Sequence, residues 1–143
     1  MIAHPDNPYT DLSQDQVIGM FSGEIKKWNQ LDNSLSLTDE IEIWVYPETH
    51  ESQYIFNSSI MSQNSLNNPD AFIAPTIIAM LEIIPQNKSS IGFIPKKWLN
   101  GKVKKISIKD GLGFSIEPIL LSSNTKLNPA QESFIHCLQN QIK

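Results

Sequence analysis

The spacing of apolar and polar side chains divides this chain into short blocks that alternate between a helical and an extended rhythm. Val17, Met20 and Phe21 recur at three- and four-residue intervals, which puts them on one face of a helix. Ser13-Gln14-Asp15-Gln16 forms a capping-box pattern ahead of them, with the Ser13 hydroxyl set for the Gln16 amide and the Gln16 side chain reaching back. Gly23 supplies a residue that can turn left-handed and end the helix, so residues 14–22 are predicted helical. Ile41-Glu42-Ile43-Trp44-Val45 alternates and is rich in strand formers, which predicts a strand ending at Pro47. A second helix is expected from Ser52 to Ile60, burying Ile55, Phe56 and Ile60.

Residues 62–70 are rich in Ser and Asn and read as a surface loop. Pro75 suits the first turn of a third helix carrying Ile77, Ile78, Leu81 and Ile84, with Pro85 as its stop. Strands are predicted over residues 90–94 and 103–108, separated by a loop or short helix from Pro95 to Gly101 that contains Trp98; residues 114–121 are a further extended candidate. Asn128-Pro129-Ala130-Gln131 is a helix-start signal, and a closing helix over about 129–142 would bury Phe134, Ile135, Leu138 and Ile142. Alternating strands and helices predict an α/β fold with a mixed, mostly parallel sheet flanked by helices, and 143 residues at 40% hydrophobic suit one compact unit.

The longest apolar run, Ile73 to Ile84, is broken by Pro75, Thr76 and Glu82, so no segment is expected to span a bilayer. Met1-Ile2-Ala3-His4-Pro5 has neither a basic nor an apolar leader region, so no signal peptide is expected in this chain. The net charge of −4 argues against a nucleic-acid partner. All 11 basic residues are lysines, and the absence of arginine removes the planar fork that grips phosphate or carboxylate bidentately. Lys96, Lys97, Lys102, Lys104 and Lys105 form a group that reads as a solvated turn and strand face.

Candidate chemistry is sparse. His136 and Cys137 are neighbours on the closing helix and do not face one another, so Cys137 reads as a small core residue rather than a nucleophile. His4, His50 and His136 have no metal-ligand spacing; only His50 with Glu48 and Glu51 forms a local group, and such groups are commonly polar turns. Neither a glycine-rich phosphate loop nor a nucleophile elbow occurs, so no enzyme, cofactor or metal is expected.

Asn7-Pro8-Tyr9-Thr10-Asp11-Leu12-Ser13, continuing through Val17-Ile18-Gly19-Met20-Phe21-Ser22-Gly23-Glu24-Ile25-Lys26-Lys27-Trp28-Asn29, resembles the start of the second lobe in type 2 periplasmic solute-binding proteins of the phosphate-binding, ABC-importer branch. The strand at 41–45, Ile91-Gly92-Phe93 and the strand at 103–108 follow in the same order, so the resemblance covers roughly residues 5–110. It implies a single lobe over residues 1–143 that contributes half of an interlobe cleft for a small-molecule or anion ligand. It also implies a first lobe upstream, ABC transporter membrane subunits as partners and an extracytoplasmic place of work. The alternative is a non-transport sensor or protein-interaction module that keeps the fold without ligand binding.

The family's ligand residues in this lobe form an arginine, serine, acidic, glycine, serine, glycine, threonine run after the strand equivalent to residues 41–45. Here that run falls on Tyr46, Pro47, Glu48, Thr49, His50, Glu51 and Ser52. Tyr46 replaces the arginine, Thr49 and Glu51 replace the glycines, and His50 replaces the central serine. The resemblance therefore offers Tyr46, Thr49, His50, Glu51 and Ser52 as ligand-binding candidates for something other than phosphate in the usual mode. Read from the residues alone, the same stretch is a polar turn that caps a helix. Tyr46 and His50 are expected to be partly accessible.

Overall fold

The computed structural model describes residues 1–32, 37, 39–61, 68–109, 128, 129 and 132. Its first segments are strand β1 (Ile2–Ala3), strand β2 (Asp11–Ser13) and helix α1 (Gln14–Ser22), followed by a 3₁₀ turn at Trp28–Gln30. Strand β3 (Glu42–Val45), helix α2 (Glu51–Phe56), a π-helical turn at Asn57–Met61, strand β4 (Phe72–Ile73) and helix α3 (Ile77–Ile83) come next. Strand β5 (Ser90–Gly92), a 3₁₀ turn at Lys96–Trp98 and strands β6 (Lys104–Lys105) and β7 (Ser107–Lys109) complete the described order.

Five strands form one sheet in the order β4-β3-β5-β1-β6, and β2 pairs with β7 separately. β3 runs parallel to both β4 and β5, with Trp44 opposite Phe72 and Ile43 opposite Ile91. β1 is antiparallel to β5 and β6, while β2 and β7 are parallel. This is the mixed, mostly parallel α/β architecture that the alternation of elements predicts.

The capping box forms in full: the Gln16 amide donates to Ser13 Oγ at 3.1 Å and the Ser13 amide to Gln16 Oε1 at 2.8 Å. Gly23 ends the helix at φ 83°, a conformation glycine enters without a Cβ penalty. Trp28 is fully buried; its indole N–H donates to the Ser89 carbonyl at 3.0 Å, and Tyr9 stacks on it at 5.0 Å. A single apolar cluster joins Ile2, Leu12, Val17, Met20, Phe21 and Trp28 to side chains from the other strands and helices.

Several boundaries differ from expectation for local reasons. Pro75 precedes the third helix rather than entering it, because Thr76 is the cap and accepts the Ala79 amide at 3.1 Å. Pro85 does not stop the helix abruptly: it sits inside a 3₁₀ turn at Ile84–Gln86, since without an N–H it cannot continue the α-helical ladder. On this helix Ile78 is 59% exposed and Met80 is buried. Ile55 is only half-buried, whereas Phe56 and Ile60 are buried as expected. The strand expected at 103–108 is two short strands in different sheets, and Ile106 between them donates its amide to the Met1 carbonyl at 3.0 Å. The extended candidate at 114–121 lies outside the described residues. Of the closing helix, Pro129 and Glu132 are described as helical, and the Glu132 amide donates to the Asn128 carbonyl at 3.0 Å.

Candidate functional site

In parallel α/β sheets the loops at the carboxyl ends of the strands form the ligand face. Here β3 ends at Val45 and leads through Tyr46 into α2, while β4 leads through Ala74 into the Thr76 cap of α3. β5 leads into Phe93. The three chain segments thus reach one edge of the sheet.

The stretch from Tyr46 to Ser52 is shaped by bonds to itself and to that edge. The His50 amide donates to the Pro47 carbonyl at 2.9 Å, closing a turn. His50 is the N-cap of α2, and its Nδ1 accepts the Ser52 amide at 3.1 Å. The helix consequently starts at Glu51, one residue ahead of expectation.

Tyr46 is fully committed to the interior. It is 2% exposed, its hydroxyl donates to the Phe93 carbonyl at 2.9 Å, and its ring meets Phe93 edge-on at 5.2 Å. The Tyr46 amide donates to Gln53 Oε1 at 2.9 Å, and the buried Gln53 passes its own amide hydrogen to Asn57 Oδ1 at 2.9 Å. Burial pushes the Tyr46 phenol well above its ordinary value. The expectation that Tyr46 is accessible is therefore corrected: its buried side chain locks β3 to the end of β5. His50 is half-buried, as expected of a partly accessible side chain.

Glu48, Thr49 and Glu51 are exposed, and Ser52 is half-buried. Tyr54, one turn into α2, is 72% exposed. The face turned to solvent thus carries two carboxylates, a hydroxyl and a phenol, and no lysine occurs anywhere between Lys27 and Lys88. Glu51 in the first turn of α2 offsets the partial positive charge of the helix start. Among the described residues no trio of His, Cys, Asp or Glu is placed to hold a metal ion.

Two polar features escaped the sequence reading. Glu42 at the start of β3 accepts bonds from Ser90 Oγ at 2.6 Å, Trp44 Nε1 at 2.7 Å and Asn87 Nδ2 at 2.8 Å. Burial pushes its carboxyl up, but those three donors outweigh it and hold the group below the usual range. The second is a shallow cavity of about 230 Å³ beside the start of α1, lined by Tyr9, Asp11, Gln16, Asp32 and Lys109 among others. Lys109 pairs across it with Asp11 and, with Thr10, holds that carboxyl below its ordinary range. Neither feature has a local sequence signature, because each gathers residues from distant segments.

No protein-family model and no curated protein matches the chain. Solved structures do. An ABC-type phosphate transport receptor from Vibrio cholerae superposes with a TM-score of 0.70 at 23% identity, over 76% of this chain and 45% of that one. A putative phosphate ABC transporter substrate-binding protein with bound phosphate from Clostridium perfringens gives 0.68 at 18% identity, over 75% and 43%. PstS from Borrelia burgdorferi gives 0.65 at 15% identity, over 76% and 46%. The chain spans less than half the length of each, and it has the fold of one lobe, as the sequence resemblance implied.

Proposed function

We propose that this domain is one lobe of a two-lobed solute-binding protein of an ABC-importer type system, working outside the cytoplasm. Its share of the ligand cleft is the sheet edge bearing Thr49, His50, Glu51 and Ser52, with Tyr46 setting their position from beneath. The observation carrying this reading is the match to phosphate-binding proteins over three quarters of this chain but less than half of theirs.

The ligand is not phosphate held in the usual mode. Glu48 and Glu51 place like charge beside an incoming anion, worth about 1 kcal/mol per pair at 4 Å in bulk water and more once water is excluded. No arginine is present to offset that repulsion. Contacts from one lobe leave a ligand half-solvated, so appreciable affinity needs a second lobe to close on it.

A second reading has its own support. His50 Nδ1 is spent on the helix cap and the Tyr46 hydroxyl on Phe93, as in a sensor or protein-interaction module that keeps the fold without binding a solute. The two are separated by joining the chain to its upstream sequence and following melting and scattering with phosphate, sulfate and citrate as probes. A solute that raises the melting temperature and compacts a two-lobed particle supports the cleft. A two-lobed particle indifferent to all solutes tried supports the module.

A further inference from the structure

Charge is distributed unevenly along this acidic chain. Seven of its 11 lysines and none of its 15 acidic residues lie between positions 83 and 109. Lys88 pairs with Asp6 at 3.5 Å, Lys104 Nζ donates to the Asn7 carbonyl at 2.6 Å, and Lys109 pairs with Asp11. Lys96, Lys97, Lys102 and Lys105 are exposed and flank one turn.

At the tip of that turn Trp98 is 41% exposed and Leu99 is 39% exposed. The turn is ordered by its own backbone: Pro95 precedes it, the Trp98 amide donates to the Pro95 carbonyl at 2.9 Å, and the Leu99 amide donates to the Lys96 carbonyl at 3.1 Å. Among the described residues nothing lies within 4 Å of where a side chain on Gly101 would sit. A fixed turn presents both apolar side chains without a large ordering cost on contact.

Positive charge around the tip calls for a polyanionic partner, and the apolar tip decides which one. Two side chains make far too little contact for a stable protein interface, which takes about 800 Å² on each side. Nucleic acid is held through arginine or lysine contacts to phosphate and through base stacking on aromatic rings, and neither contact uses the Leu99 side chain. A bilayer asks for less. The indole ring partitions to the headgroup level, and lysine stems lie along apolar surface while their ammonium groups reach phosphates.

We propose that the turn at residues 95–102 docks the domain on an anionic bilayer, seating Trp98 and Leu99 in the headgroup layer while Lys96, Lys97, Lys102 and Lys105 face lipid phosphates. The inference does not depend on the solute-binding reading. Its test is cosedimentation and tryptophan emission of the whole chain with vesicles of phosphatidylcholine alone and of phosphatidylcholine mixed with phosphatidylglycerol. Binding is expected only to the mixed vesicles, with emission shifting to the blue and with affinity falling as salt rises. Lys96→Gln with Lys97→Gln should weaken partitioning by about fivefold per lysine. Trp98→Ala with Leu99→Ala should abolish the emission shift and lower binding, while an unchanged melting temperature shows the variant folded. Equal binding to both vesicle types, no binding to either, or undiminished binding by the Trp98/Leu99 variant would overturn the proposal. So would equal binding to double-stranded DNA at the same salt with the emission unmoved by lipid, which would mark a plain polyanion surface.

Discussion

The Tyr46 ring lies flat against the His50 imidazole, with centroids 4.2 Å apart and planes inclined by 12°. The contact joins the end of β3 to the cap of α2, so the two side chains set the shape of the turn between them. Tyr46 anchors the turn to Phe93 below, and His50 fastens the first amides of the helix above.

Tyr46→Phe keeps the ring and removes the hydroxyl, leaving the buried Phe93 carbonyl without its donor. A loss of about 1–2 kcal/mol is expected from urea unfolding. The pH dependence has a definite sign. A phenol whose folded value is raised contributes stability that is fully present below its ordinary value of 10.0 and is lost as pH rises toward the folded value. Tyr46→Phe should therefore flatten the alkaline decline in stability, measured by denaturant unfolding at a series of pH values.

His50→Ala deletes both the cap acceptor and the stacking partner, and about 1 kcal/mol of stability should go with them. His50→Asn restores an acceptor for the Ser52 amide and should recover most of the loss. Failure of asparagine to rescue would move the weight from the cap to the ring contact.

Gly92→Ala tests the packing of α3 on β5. A Cβ there would sit 2.5 Å from Met80 Sδ and 3.3 Å from Ile84 Cδ1. Overpacking should cost about 1–3 kcal/mol. Met80→Ala makes room, so the double variant should be more stable than the sum of the two single losses predicts, as a double-mutant cycle will report.

The place of β1 inside the sheet has a titration signature. In a polypeptide beginning at Met1, burial first and Lys105 second push the terminal amine from 8.0 down to about 6. Above pH 8.0 the amine is neutral whether folded or unfolded; below it the unfolded chain takes up a proton that the folded chain refuses. Stability should fall by about 2 kcal/mol as pH drops from 8 to 6. Acetylating the amine should remove that slope, which chemical denaturation at a series of pH values will show.

Where the sequence carries its own local chemistry, it was legible. The Ser13–Gln16 capping box and the Gly23 stop define α1 at the residue level, and the alternation at 41–45 finds β3 within one residue. The strands at Ile2–Ala3, Asp11–Ser13 and Phe72–Ile73 were not legible, because two or three residues hold no periodicity and owe their conformation to partners far along the chain. The same limit applies at the candidate site. The polar, helix-capping character of the turn at 46–52 can be read from the residues. The burial of Tyr46 cannot, because it depends on Phe93, 47 positions away.

The central claim is that this domain alone presents half a cleft, and a half that does not suit phosphate. Isothermal titration of inorganic phosphate into the 143-residue chain tests it most directly. No saturable heat is predicted up to about millimolar phosphate, a ceiling equivalent to roughly 4 kcal/mol of binding energy. One-to-one binding at about micromolar affinity or tighter would contradict both parts: the missing arginine would be dispensable, and the site complete within a single lobe.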